Sequence, residues 1–398
     1  MSERVLKIGV IAGEVSGDLL GGDLVAHLKR AWPGPVRLVG VGGEALEAEG
    51  LRSLFDFSEL SIMGLTQVLK RLPQLMRRIR QAADAIIAER PDVLIIIDSP
   101  DFTHRVARRV RRALPDLPVV DYVCPSVWAW KEYRATAMLA YVDQVLAILP
   151  FEPEAMQRLG GPKTDFIGHR LTADPDVLRV RARRAARGLP DADDGRTIVI
   201  LPGSRSTEIR ILMPALEETV KLIAERNGGR VRFLLPTVPR QEALVRSLTA
   251  NWAIKPQITI GSEGKWQAFA ECDMALAASG TVTLELALCG VPTVSIYKVD
   301  WLMKLMLSRI KIWSAALPNL IADQPVLPEH INDLVRPGYL ARWADCLSAD
   351  TPQRRAMLAG FDTVWERLAT SVPPGEAGAG LVLELLARRG QRAGTTVP

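Results

Sequence analysis

The sequence predicts an α/β protein made of two Rossmann-like, doubly wound domains facing across a cleft. Three observations carry that expectation. Short, nearly unbroken apolar runs alternate with amphipathic stretches, as parallel strands covered by helices on both faces require. The alternation breaks in a polar, proline-interrupted stretch near the middle and then resumes. The 398 residues are enough for two separate cores.

Taken in order, "VLKIGVIA" (Val5–Ala12) reads as a buried strand, and "DLLGGDLVAHLKRAWP" as a helix stopped by Pro33. "VRLVGVGG" is a second strand. "PDVLIIIDSPDF" holds a third between Pro91 and Pro100, "PVVDYVCPSVWAW" a fourth and "QVLAILPFE" a fifth. This first domain is expected over residues 1–170. Residues 171–196, with Pro175 and Pro190, read as a crossing that contains one short basic helix. Strand-like runs return in "TIVILPGSRSTEI", "VRFLLPTV", "QITIGSEG" and "CDMALAASGTVTLELALCGVPTVSIY", so a second domain is expected over 197–350. Residues 351–398 read as helices ending in a disordered "QRAGTTVP" tail.

Composition narrows the function. Fifty basic and 45 acidic residues give a net charge of +5. That excess suits an anionic small ligand or an anionic membrane surface. There is no dense Lys/Arg tract and no zinc-finger, RRM or KH signature, so nucleic acid is not an expected partner. The four cysteines form no C-x-x-C pair and read as packed thiols of a reducing compartment. The first residues lack the apolar run of a signal peptide, and no run approaches the roughly 20 apolar residues of a spanning helix. A cytoplasmic protein with at most peripheral membrane contact is expected.

Ligands of open α/β sheets bind beyond the carboxyl ends of the strands, and four unusual segments follow strands here. "AGEVSGD" contains Gly13, Glu14, Ser16, Gly17 and Asp18. Its glycines are four apart, which is not a dinucleotide fingerprint. It reads either as a capped strand-to-helix turn or as a backbone floor for an acceptor substrate. In "IIIDSPDF", Asp98 ends a very apolar strand. It reads as a turn-capping residue or as a general base. "LPGSRSTEI" offers Gly203, Ser204 and Arg205, a set suited to a diphosphate, with Glu208 able to cap the next helix or pair with Arg205.

"ASGTVTLELALCGVPTV" puts Ser279, Gly280 and Thr281 at the mouth of a helix, a phosphate site by geometry. Glu285, one turn on, interrupts the apolar face and could take two sugar hydroxyls. A capped helix explains the glycines and Ser279 but not Glu285. The four histidines have no metal-ligand spacing and read as structural or solvated. No metal site is expected.

Together, "IAGEVSGDLLGG", "SIMGL", "IDSPDF", "CPSVWAWK", "LPFEP", "FIGHRL", "LPGSRSTEI", "SGTVTLE" and "LPNLIAD" resemble the lipid-A-disaccharide synthase family, in order from Ile8 to Asp323. Cys124 before "PSVWAW" is one departure, at a packing position. The resemblance implies an inverting glycosyltransferase of the GT-B fold that needs no metal and no cofactor. It implies that UDP-2,3-diacylglucosamine is joined to 2,3-diacylglucosamine 1-phosphate (lipid X), giving a β-1,6-linked tetraacyl disaccharide 1-phosphate and UDP. Under it, Asp98 is the base. Arg205 and Ser204 steady the departing UDP, Ser279, Gly280 and Thr281 hold the diphosphate, and Glu285 holds the ribose. Asn319, in "LPNL", lies near the donor sugar, and Gly13 to Asp18 line the acceptor side. A homodimer is also compatible with the resemblance.

Acylated substrates reside in the inner membrane, which gives meaning to "SIMGLTQVLKRLPQLMRRIRQ". Met63, Leu65, Val68, Leu69, Leu72, Leu75 and Met76 supply an apolar surface, with Lys70, Arg71, Arg77, Arg78 and Arg80 beside it for anionic headgroups. Pro73 predicts two short helices or a kink. "WLMKLMLSRIKIW" is a second segment of the same character. The competing readings are another UDP-sugar enzyme of the same fold, MurG-like or a UDP-GlcNAc epimerase, and a two-lobed binding protein.

Overall fold

The computed structural model describes residues 4–60, 65–188, 195–298 and 311–394, with the backbone alone for 58, 65–72 and 390–394. The chain forms two compact units. The first comprises the residues up to Arg170 together with those from Thr370 onward, and the second comprises Leu171–Ala369.

The first unit is built on β1 (Leu6–Ala12), α1 (Val15–Ala31), β2 (Val36–Val41), α2 (Glu44–Ala48), α3 (Leu65–Glu89) and β3 (Val93–Ile97). It continues through α4 (Pro100–Ala113), β4 (Val119–Tyr122), α5 (Tyr133–Met138), β5 (Gln144–Ala147), α6 (Glu152–Arg158) and β6 (Lys163–Phe166). The six strands pair in the order β2-β1-β3-β4-β5-β6, all parallel. β3, "VLIII", is buried along its whole length, which is why it reads as a continuous apolar run. On one face of the sheet, Ile79, Ala82, Ala83 and Ile86 of α3 pack with Phe102, Val106 and Val110 of α4. On the other, Leu20, Leu24 and Leu28 of α1 pack with Ala379 and Val382 of the last helix, Pro374–Gly394.

That last helix corrects the expected division of residues 351–398. The helix Pro352–Leu368 belongs to the second unit, whereas Pro374–Gly394 returns to the first. The physical reason is the apolar stripe of "AGAGLVLELL", which covers α1. The helix also runs to Gly394, so part of the expected disordered tail is helical. Of the two outcomes expected of Pro73, two separate helices do not occur. α3 is one helix through it, held beyond the proline by the buried contacts of Ile79 to Ile86.

The second unit begins with α7 (Pro175–Arg187), capped by the Asp174 carboxylate, which accepts from Asp176 N at 3.0 Å and Val177 N at 3.4 Å. The segment expected to be a crossing is thus part of this unit. There follow β7 (Arg196–Leu201), α8 (Ser206–Arg226), β8 (Val231–Thr237), α9 (Glu242–Thr249), β9 (Gln257–Ile260), α10 (Gly261–Glu271), β10 (Met274–Ala278), α11 (Thr281–Leu288), β11 (Thr293–Tyr297) and β12 (Glu329–Ile331). The strand order is β12-β11-β10-β7-β8-β9, again all parallel.

Each sheet reverses its winding once, between β1 and β3 in the first unit and between β7 and β10 in the second. The crevice outside the carboxyl ends of such a strand pair is where doubly wound sheets bind ligands. All four segments singled out in the sequence emerge there. "AGEVSGD" follows β1 and Asp98 follows β3. "PGSR" follows β7 and "SGT" follows β10.

Candidate active site

In the first unit the turn after β1 lies directly against the end of β3. A Cβ added to Gly13 would fall 2.2 Å from Ser99 Cβ, so only glycine allows this approach. Asp98 and Ser99 both have left-handed backbones, with φ of 54° and 45°, and Val123 after the neighbouring β4 has φ of 81°. Such conformations cost about 1–3 kcal/mol each and cluster at functional sites. Here they are over-determined. Asp98 N donates to Tyr122 O at 3.1 Å, and Thr103 Oγ1 donates to Asp98 O at 2.7 Å. The half-buried Asp98 carboxylate accepts from Ser99 N at 2.7 Å through Oδ1. Ser16 Oγ stands 3.4 Å from Oδ2, a long contact that leaves that oxygen weakly held. Glu14 and Ser16 are exposed, and beside them Val15 and Leu19 expose apolar side chains on the first turns of α1.

Asp18 departs from expectation. It is buried, and its carboxylate accepts from Gly43 N at 2.7 Å, Ala45 N at 2.9 Å and Leu46 N at 3.2 Å. It caps α2 and joins it to α1, so it does not line an acceptor surface. A carboxylate facing orphan helix amides satisfies both partners.

Behind Asp98 lies a buried group that the sequence reading missed. His104 Nε2 is 3.1 Å from Asp121 Oδ2, and His104 Nδ1 is 3.0 Å from Tyr141 Oη, which also accepts from Arg108 at 3.2 Å. Burial pushes the Asp121 carboxyl above its ordinary range, opposed by His104. The available signal was an acidic residue inside the apolar run "VVDYV". Nearby, Trp128 Nε1 donates to Glu152 Oε1 at 3.2 Å and its ring meets Phe151 edge-on at 4.9 Å. This is the physical link between the "PSVWAW" and "LPFEP" motifs. Glu152 also accepts from Leu149 N at 3.0 Å, and burial pushes its carboxyl up to about 8.

In the second unit one pocket of about 510 Å³ gathers Gly203, Ser204, Arg205, Ser279, Gly280, Thr281 and Glu285. That volume is in the range of small-molecule sites. Gly203, with φ of 105°, turns the chain out of β7. Arg205 precedes α8 and pairs with Glu208 at 2.8 Å while remaining 58% exposed. Gln241, buried and unforeseen, braces this loop by donating to Ser204 O at 3.1 Å, with Ser206 Oγ donating back at 3.0 Å. Gly280 precedes α11, whose first amides have no acceptor within the helix. Ser279 Oγ donates to Ala315 O at 3.0 Å. Lys265 of α10 also lines the pocket, and its Nζ reaches both carboxylate oxygens of Glu285, at 3.0 and 2.9 Å. The sequence reading missed Lys265, because it sits on a different helix from Glu285.

Asn319 is the second departure. It is 2% exposed. Its Oδ1 accepts from Val326 N at 2.9 Å and Leu327 N at 3.0 Å, and its Nδ2 donates to Leu327 O at 3.1 Å and Glu329 Oε2 at 3.2 Å. With its amide fully engaged, it braces the fold and does not reach a donor sugar. Its influence passes through Glu329, which accepts from Ser314 Oγ and Ala315 N, to the Ala315 carbonyl under Ser279.

Of the expected membrane residues, Met63 lies outside the described residues, as does Trp301 to Ile310 of the second apolar segment. Leu65, Val68, Leu69 and Leu72 are on the backbone of α3. Leu75 is partly buried against the core, and Met76 is exposed. Arg78 is drawn into a double hydrogen bond with Glu59, at 2.9 and 2.6 Å. Leu75 and Arg78 therefore belong to the fold and leave the proposed surface. No described helix is long and apolar enough to cross a membrane. Among the described residues no group of three His, Cys, Asp or Glu side chains could hold a metal.

The sequence pattern of the lipid-A-disaccharide synthetase family matches residues 8–359. The chain belongs to that family. A lipid-A-disaccharide synthase of Nitrobacter winogradskyi is 47% identical over 96% of both chains. One of Rhodopseudomonas palustris is 43% identical over 96% of this chain and 97% of its own. Among solved structures, the S. aureus MnaA–UDP co-structure superposes with a TM-score of 0.60 at 12% identity, covering 97% of each chain. Acinetobacter baumannii MurG gives 0.54 at 13% identity, covering 97% of this chain and 99% of its own. Likenesses at that identity speak to the fold, which is GT-B.

Proposed function

We infer that the protein is an inverting glycosyltransferase that joins UDP-2,3-diacylglucosamine to 2,3-diacylglucosamine 1-phosphate. The products are the β-1,6-linked tetraacyl disaccharide 1-phosphate and UDP. The observation that carries the reading is the placement of a carboxylate on a strained backbone and an anion-suited pocket at the winding reversals of the two sheets, in a chain of this family.

The first unit supplies the base. Asp98 takes the proton of the acceptor 6-hydroxyl as that oxygen attacks the anomeric carbon. The bond from that carbon to the UDP oxygen breaks, and attack opposite the leaving group inverts the centre. The second unit holds the donor. The amides of α11 and Ser279 face the diphosphate, Arg205 meets the charge that grows on it, and Glu285 binds the ribose diol. Preorganised donors aimed at a developing charge are usually the largest catalytic term. The exposed Val15 and Leu19 beside Ser16 support an acceptor that carries acyl chains. Peripheral docking to the inner membrane through α3 is part of the same reading, with Met76 and the residues from Leu65 to Leu72 as its surface.

The test is turnover with both acylated substrates in detergent with EDTA present. Formation of the tetraacyl disaccharide phosphate supports substrates, reaction and metal independence together. Product only after magnesium is added keeps the reaction and removes the metal-free mechanism. No product under either condition overturns the substrate assignment. For docking, Leu69, Leu72 and Met76 are changed to Ser. Unaltered sedimentation with vesicles would remove α3 as the docking surface.

A further inference from the structure

The second unit has another cavity, of about 420 Å³, at the end of its sheet opposite the donor pocket. Asp273, just before β10, lines it, and Ser279, just after β10, lines the donor pocket. Six Cα-to-Cα steps of extended chain separate them by about 20 Å.

Arginine dominates this cavity, with five guanidinium groups from α7 and the helix Pro352–Leu368. Three have carboxylate partners. Arg181 pairs with Asp362 at 2.6 Å, Arg187 with Asp273 at 3.1 Å and Arg355 with Asp350 at 2.6 Å. Arg184 and Arg354 form no ion pair among the described residues, and they donate to carbonyl oxygens, with Cys272 Sγ also 3.8 Å from Arg184 Nη1. Arg184 donates to Phe269 O at 2.8 Å, to Gly290 O at 3.1 Å and to Cys272 O. Arg354 is only 6% exposed, and its Nη1 donates to Asp273 O at 2.8 Å and to Leu347 O.

The rest of the Arg354 guanidinium meets no acceptor among the described residues and borders the cavity. Burial and the neighbouring Arg184 pull Arg354 down to about 10, opposed in part by Asp273 and Asp350, so it stays charged at neutral pH. The flanking thiols Cys272 and Cys289 are pushed up by burial and bring no negative charge.

Five guanidinium groups therefore line one cavity with three carboxylates, Asp273, Asp350 and Asp362, and each of the three is ion-paired to an arginine other than Arg184 and Arg354. Capping carbonyls alone does not explain that. A carbonyl dipole offsets a cation only in part, and a nearly buried charge left uncompensated is costly. We propose that this cavity is a binding site for a phosphate-bearing anion, separate from the donor pocket. Planar guanidinium forks match phosphate oxygens, and the volume suits a small phosphorylated ligand or a lipid phosphate headgroup. The site is joined to the donor pocket by α11. That helix presents its first residues to the donor pocket, while Arg181 donates to Leu288 O at its other end at 3.2 Å.

The test is calorimetric titration of the full chain with inorganic phosphate at low salt. It uses the wild type, Ala185→Glu and the donor-pocket variant Lys265→Met. Ala185 is exposed on α7 and borders the cavity, so a glutamate there fills the site with negative charge without removing any bond. Phosphate is expected to bind the wild type and Lys265→Met alike, and Ala185→Glu at least about tenfold more weakly. Thermal unfolding of Ala185→Glu checks that it remains folded. No binding to the wild type overturns the proposal. So does loss in Lys265→Met with retention in Ala185→Glu, which assigns the phosphate to the donor pocket, and so does equal binding by all three. Sedimentation with phosphatidylglycerol vesicles then separates the sources. Vesicle binding that falls in Ala185→Glu assigns a lipid headgroup, and vesicle binding unaltered beside weakened phosphate binding assigns a soluble anion.

Discussion

Lys265 Nζ contacts both carboxylate oxygens of Glu285, at 3.0 and 2.9 Å, inside the pocket that also contains Ser279 and Arg205. The pair aims the carboxylate and supplies a cation beside the diphosphate position. Glu285→Gln and Lys265→Met are each expected to raise the KM for the UDP-sugar about tenfold, with smaller changes in kcat. Because the two side chains act as one unit, the double variant should cost less than the sum of the singles. Steady-state kinetics over the four proteins measures this. Strict additivity would show that the pair is not a unit.

Asp98→Asn keeps the shape of the side chain and removes the base. A fall in kcat of at least about 100-fold is expected, with the acceptor KM little altered. Ser16→Ala loses only a 3.4 Å contact and should reduce kcat a few-fold. Retained turnover in Asp98→Asn would take the base role away from this residue.

Asp18 and Asn319 should behave as structural residues. Asp18→Asn turns an amide N–H toward backbone donors, and Asn319→Ala strands a set of buried polar groups. Each is expected to lower stability to urea by about 1–3 kcal/mol, while KM for acceptor and donor stays near wild type. A changed KM with unchanged stability would return either residue to the substrate.

Glycine substitutions separate close approach from mere helix position. Gly13→Ala forces a Cβ to within 2.2 Å of Ser99 Cβ and is expected to destabilise the first unit by about 1–3 kcal/mol and to displace Asp98. Gly380 lies inside the last helix with nothing within 4 Å of an added Cβ. Gly380→Ala should therefore stabilise by about 0.5–1 kcal/mol. Chemical denaturation of both variants tests the contrast.

Glu152 gives stability a pH dependence. Burial raises its folded value from 4.5 to about 8. Between those values the folded state holds a proton that the unfolded state has released. Its contribution is thus fully present below about pH 4.5 and is lost as pH rises toward 8. Relative to Glu152→Gln, the wild type should lose stability across that window, by at most about 1.4 kcal/mol per pH unit, and stay level above it. Denaturation curves of both proteins between pH 5 and 9 are the measurement, and parallel curves would refute the assignment.

The strands were legible because buried parallel strands leave unbroken apolar runs, and "VLIII" needs no long-range information to be read. So was the gathering of Arg205 with Ser279 and Glu285, since each follows a strand of the same sheet. Asp18 and Asn319 were not legible. A carboxylate in a glycine-bearing turn looks the same whether it faces a ligand or the N–H groups of the next helix, and only the position of α2 decides. Lys265 has no local spacing to Glu285, because the two meet across helices. Pro73 was read by its local effect on a helix, and the packing of Ile79 to Ile86 keeps the two sides of it in one helix. The last helix is clear as a helix, but its partner α1 lies at the other end of the chain.

The return of the helix Pro374–Gly394 to α1 sets an order of events during synthesis. Leu171–Ala369 is an insertion within the first unit. The first sheet has all its strands once Phe166 has been made and can cover part of α1, yet the side of α1 that meets Ala379 and Val382 stays open for about 200 more residues, roughly 10–40 s at ordinary elongation rates. In that interval the second unit can complete itself while the first cannot. The nascent chain carries part of an apolar helix face through most of its translation, so the unit that bears Asp98 is begun first and finished last.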